Sequence, residues 1–259
     1  MATAAHTDLM ADLLTLWRSI QAGEAEIATD FLTAPHAPED HVHWLRHQCL
    51  RELRGPGLLT RTKSRTQWLV DNIASGLPAA ETPEGREELQ YQLHQIAEEF
   101  DHFKLYADIL ADITEAPVLM ADIRDLKMEN DQNIEGLRIT LFAQNERLAR
   151  LAYDFTEGGG AGIFYAQAAL ETDDPLLLRI KHAGRIIFDD EVGHGAHGIE
   201  SVDLGLTTDD EFAEFKAMIV AIARERMHMR AAMHGSTISD ERVEAIVAGQ
   251  IERIKPLTD

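Results

Sequence analysis

DDEVGH, residues 189–194, is the stretch that decides how this sequence is read. It lies in a run over 175–202 that opens with Asp174-Pro175 and repeats apolar residues at helical spacing, so the motif falls mid-helix. Residues three apart share a helix face, and Glu191 and His194 therefore direct a carboxylate and an imidazole to one point. Hard carboxylate oxygen with borderline imidazole nitrogen is a donor set for a divalent first-row metal. EEFDH at 98–102 repeats the arrangement with Glu99 and His102, in a helix capped by Thr82 with Pro83 at its first position.

A lone Glu-x-x-His carries little weight, because 24 Glu and 12 His in 259 residues give about one match by chance. The chain has three, the third being Glu225-Arg226-Met227-His228. Position selects the first two. Glu99 stands 16 residues after Pro83 and Glu191 stands 16 after Pro175, so two antiparallel helix pairs would bring both motifs to one level of a bundle. Glu157, 14 residues before the turn at Glu171, falls opposite Glu191. On the first helix Glu24 is followed seven residues on by Phe31, as Glu157 is by Phe164. That parallel makes Glu24 the first-helix candidate, with Glu26, Glu52 and Asp71 as rivals, and suggests a duplicated helix pair with 35–83 inserted in the first copy. Arg224, Arg226 and Arg230 around Glu225 and His228 suit a solvated face better than a cation site.

Working outward, the chain reads as all-α. Helices are expected over 7–32, 40–55, 59–75, 82–113, 133–170, 175–202 and 208–233, with a short one opening at Pro117 and another after Ser239. Thr208 and Glu211 form a capping-box signature. No low-complexity linker or shift in composition divides the chain, so one helical domain over 1–259 is the economical expectation. His41, His43 and His47 could hold a metal at helical spacing but are expected as an exposed amphipathic turn. Met227, Met229 and Met233 read as core or surface filler rather than a copper site, and Tyr153, one turn before Glu157, as a core residue rather than a redox-active one.

Composition limits the partners. Lys and Arg total 24 against 45 Asp and Glu, a formal net charge of −21 that repels a phosphate backbone, so nucleic acid is an unfavourable partner. There is no uninterrupted apolar run of 18 residues, the N-terminal stretch lacks a basic leader, and Cys49 is the only cysteine. These features lead to the expectation of a cytoplasmic protein with no membrane span and no disulfide.

One Glu on each of two helices and Glu-x-x-His on each of two others resembles the ferritin-like di-iron carboxylate superfamily. GEAEIATDFL at 23–32 looks like the first helix of bacterioferritins, rubrerythrins and aldehyde-deformylating oxygenases, and DDEVGH resembles their last-helix motif. The resemblance covers the bundle helices, about half of the chain. It implies a four-helix bundle with helices inserted between the first two and two extra helices at the C-terminus. It implies as ligands Glu24, Glu99, His102, Glu157, Glu191 and His194, holding two iron ions, with manganese or a mixed pair as the variant. Asp190 and Glu98, each beside a ligand Glu, are candidates to orient the imidazoles.

Glycine crowds the motifs. Gly158, Gly159, Gly160 and Gly162 follow Glu157, and Gly193, Gly195 and Gly198 flank His194. Each costs a helix about 1 kcal/mol relative to alanine. A cavity beside the metals is one reading and close helix packing the other. With the cavity, the expected function is a non-haem di-iron oxygenase or oxidase acting with O2 on a small, largely apolar organic molecule. No flavin or nicotinamide fingerprint is visible, so electrons would come from a ferredoxin or reductase. A peroxide-consuming rubrerythrin-like peroxidase or manganese catalase is the alternative, although the chain has no Cys-x-x-Cys pair. A non-catalytic bundle is the other alternative, and a homodimer is the assembly to test for.

Overall fold

The computed structural model describes residues 4–54, 78–124, 126, 128–157, 161–206, 208–255 and 257. Among these the chain is helical, without strands. In chain order the helices are α1 (Ala4–Thr33), α2 (Pro38–Arg54), a 3-10 turn (Pro78–Glu81), α3 (Pro83–Thr114) and α4 (Met120–Arg124). There follow α5 (Glu129–Gln144), α6 (Glu146–Glu157), α7 (Ala161–Ala168), α8 (Pro175–Gly205), α9 (Asp209–Met233) and α10 (Asp240–Val247). The expected helix at 59–75, with Asp71, lies outside the described residues.

The helix starts follow from capping chemistry. The Thr82 hydroxyl accepts from Gly85 N at 3.0 Å. Asp174 Oδ1 accepts from Leu176 N at 2.8 Å and from Leu177 N at 3.0 Å. Thr208 accepts from Glu211 N, and Ser239 from Arg242 N. Each supplies an acceptor to amides that have no partner inside the helix.

The long helix expected over 133–170 is divided instead. At Asn145 the backbone turns extended; its N–H donates to Leu141 O at 3.0 Å, and its side chain accepts from Leu148 N at 3.2 Å. Asn145 thus closes α5 and caps α6, which is how a short polar side chain competes with a continuous helical ladder.

The chain falls into two compact units, Met1–Pro35 with Lys127–Asp259, and His36–Leu126. In the first, α1 packs against α7, α9 and α10, α8 packs against α6 and α7, and α9 also meets α5 and α6. Its core is built from Leu13, Leu16 and Ile20 of α1, Phe155 of α6, and Phe215, Ile219 and Met227 of α9. Phe155 and Phe215 meet edge to face at 5.6 Å. In the second unit α2 lies along α3 and also meets α4. Trp44 and Tyr106, both fully buried, lock α2 to α3 edge to face at 5.9 Å. The region expected as an insertion therefore shares a unit with the helix that carries Glu99 and His102.

Candidate metal centre

Within the second unit, Leu45, Cys49 and Glu52 recur at four- and three-residue spacing on the face of α2 that is buried. Glu52 is carried inward with its apolar neighbours and is only 4% exposed. Across from it α3 presents Glu99 and His102, and His102 is fully buried. His102 Nδ1 lies 3.9 Å from Glu52 Oε2 and 4.0 Å from Glu99 Oε2. The other oxygen of Glu52, Oε1, accepts from the amide Nε2 of Gln48, one turn earlier on α2.

These separations exceed a hydrogen bond. They suit ligands of one cation: donors about 2.0–2.2 Å from a metal stand roughly 3–4 Å from one another. Two carboxylates and an imidazole converging in a buried pocket repel as carboxylates and compensate as metal ligands. The residues present fit a divalent first-row ion. Cys49, between Gln48 and Leu50, adds no thiolate, because burial first and then the Glu52 carboxylate push its thiol well above the ordinary range.

The other expected ligands belong to the first unit. Glu191 sits on α8 with 7% exposure. Glu157 is the last residue of α6, which packs against α8, and His194 lies within α8; the side chains of both lie outside the described residues. Glu24 is fully buried and bound by arginines from α9. Arg226 Nε donates to Glu24 Oε1 at 2.9 Å, and Arg230 Nε stands 3.5 Å from Oε2. Arg226 also donates to Thr156 O at 2.7 Å, clamping the last turn of α6. The solvated role expected for Arg226 and Arg230 is thus corrected: a buried carboxylate draws both guanidiniums inward. Of the rivals to Glu24, Glu26 pairs with Arg242, and Glu52 is the carboxylate that the structure brings to Glu99 and His102.

Several neighbouring expectations are also resolved. His47 is 3% exposed, so the exposed turn expected for His41, His43 and His47 is corrected there. Its ring packs against that of His43 at 4.5 Å, and burial, then His43 and Arg51, lower its pKa to about 4. Met227, Met229 and Met233 are core. Tyr153 packs against that core, 6.0 Å from Phe142, and burial raises its pKa to about 12. Glu98 pairs with His94 at 3.0 Å, and His228 approaches Asp240 at 3.6 Å.

Gly162 answers for close packing rather than cavity. A Cβ there would stand 2.0 Å from the backbone oxygen of Gln21, so the glycine is what lets α7 lie against α1. Gly193, in contrast, meets nothing within 4 Å among the described residues, and Gly158, Gly159 and Gly160 lie outside them.

A cavity of about 370 Å³ in the second unit is lined by Val42, His43, Arg46, Ile113 and Leu126 among others. It borders the first half of α2, whereas Glu52 is in the last turn; at 1.5 Å per residue even Arg46 is about 9 Å away along the axis. It is separate from the carboxylate–histidine cluster.

No helix among the described residues is long and apolar enough to cross a membrane. No known protein family, curated protein or solved structure matches the chain.

Proposed function

We propose that the chain is a ferritin-like metalloenzyme that uses O2 to oxidise a small, largely apolar organic molecule. The observation that carries this reading is the buried convergence of Glu52, Glu99 and His102 on two packed helices. Two carboxylates gathered beside a buried imidazole repel one another, and a donor set of this chemistry is explained most simply by the cation it would hold. Glu52 replaces Glu24 as the carboxylate beside the first Glu-x-x-His. Glu157, Glu191 and His194 would be the matching ligands of a second ion, as the repeated motif implies.

Iron held by such ligands supplies the redox chemistry with O2, and the electrons come from an external ferredoxin or reductase. The residues of the chain do the rest. Glu52 and Glu99 offset the charge of a divalent ion, and His102 offers a nitrogen ligand on a helix that Trp44 and Tyr106 hold in place. Burial of His102 keeps bulk water from it.

The test is metal analysis of the full chain after anaerobic loading with Fe(II), for wild type, His102→Ala and Glu191→Ala. About two irons per chain are expected, as in other proteins with this ligand pattern, with loss in each variant. O2 consumption that depends on an added apolar substrate then completes the assignment. Peroxide consumption without an organic substrate would move the protein to the peroxidase class, and no iron after loading would remove the metal reading altogether.

A further inference from the structure

We propose that Gln48 is a positioning residue for the metal centre, holding Glu52 through one carboxylate oxygen so that only the other meets the ion. The inference rests on the metal reading above and concerns how one ligand is presented.

Gln48 and Glu52 are four residues apart on α2 and share a face. The two oxygens of Glu52 are divided in their tasks. Oε1 accepts from Gln48 Nε2, while Oε2 is the atom 3.9 Å from His102 Nδ1. A carboxylate tied at one oxygen binds a cation end-on through the other. Released from the amide, it is free to turn and chelate through both.

The amide can do this in one orientation only. Turned over, its oxygen would face a carboxylate oxygen, acceptor against acceptor. With the nitrogen on Glu52, the Gln48 oxygen is left buried without a hydrogen-bond donor among the described residues, on a side chain that is 1% exposed. Buried polar atoms are normally satisfied, and one that is not calls for a functional reason. An apolar residue of the same length would fill this position without stranding an acceptor. What the amide adds over such a residue is the bond its nitrogen makes to Glu52. Its backbone is equally fixed: Leu45, Cys49 and Leu50 around it are fully buried, so the donor has little freedom to wander.

Cobalt(II) tests this directly, because the intensity of its visible bands falls as coordination number rises. The full chain is stripped with chelator and titrated with Co(II), comparing wild type, His102→Ala, Gln48→Met and Gln48→Asn. His102→Ala identifies the signal that belongs to this centre. Gln48→Met keeps the length and loses the donor; Gln48→Asn keeps the amide one methylene too short to reach. Both are expected to weaken Co(II) binding 10- to 100-fold, the usual effect of removing a group that orients a ligand. The bands of the saturated centre should also lose intensity as Glu52 becomes chelating. The thermal melt of the metal-free protein should not fall in Gln48→Met. A His102-dependent signal with wild-type affinity and spectrum in both Gln48 variants would overturn the inference alone. So would a weaker affinity accompanied by an equally lowered metal-free melt, the mark of packing. Absence of any His102-dependent signal in wild type would overturn the metal reading, and this inference with it.

Discussion

At the scale of the residue, His47 shows how a buried imidazole writes itself into the pH dependence of stability. Its pKa falls from 6.5 to about 4 because burial, His43 and Arg51 all disfavour the cation. Between those values the unfolded chain binds a proton that the folded chain does not, so stability drops as pH falls from 6.5 towards 4. Above 6.5 the contribution is complete. Its size is about 1–3 kcal/mol, since one pKa unit corresponds to about 1.4 kcal/mol and the shift is partly relieved by solvent. His47→Leu removes the proton site and an Nδ1 that is buried without a hydrogen-bond partner among the described residues. Urea unfolding at pH 7 and pH 4.5 should show wild type losing more stability than the variant. Equal losses would mean that His47 charges without penalty. The same scale shows what the sequence concealed about the site. Glu99 and His102 were legible because i, i+3 spacing on one helix is a local fact. Glu52 was only a rival, since its role depends on which face of α2 meets α3. The signal was nevertheless present: Leu45, Cys49 and Glu52 form one stripe, and an acid on an apolar stripe is an acid carried inside.

At the scale of the element, the glycines of α7 and α8 separate two effects that a sequence presents as one. At Gly162 a Cβ would strike the backbone of α1, which cannot give as a side-chain tip can. Gly162→Ala should therefore destabilise the protein by about 1–3 kcal/mol, the usual range for overpacking. Gly193 meets nothing within 4 Å among the described residues, so Gly193→Ala gains helix propensity and should stabilise by up to about 1 kcal/mol. Paired urea titrations with opposite signs are the expected result, and equal losses would contradict the close approach of α1 and α7. Helix starts were legible for a related reason: a cap is a short-range contact between a side chain and the next turn, and Thr82, Asp174, Thr208 and Ser239 all cap where the sequence implied. The division at Asn145 was hidden because its position is set jointly by the local Asx contact and by packing. Asn145 reaches Glu214 of α9 at 3.3 Å as well as capping α6.

At the scale of the whole molecule, the charge of −21 makes every cation a stabiliser, so metal binding must be told apart from screening. Screening acts on the summed field and is indifferent to one side chain. A bound ion acts through its ligands and vanishes with them. Chelator-treated protein should melt higher in added NaCl, and by the same increment in wild type and His102→Ala, because the substitution barely alters the acidic surface. Co(II) should behave differently. At a free concentration about a hundred times Kd, binding to the native state alone adds about 2.7 kcal/mol. For a chain of this length that corresponds to a rise of roughly 5–11 °C. Wild type should show it, and His102→Ala should show only the small rise expected from ionic strength. Comparing increments rather than absolute melting temperatures removes the cost of the substitution itself. If Co(II) raised both proteins alike, the divalent ion would be acting as concentrated salt, and the convergence of Glu52, Glu99 and His102 would be an acid cluster relieved by any counterion.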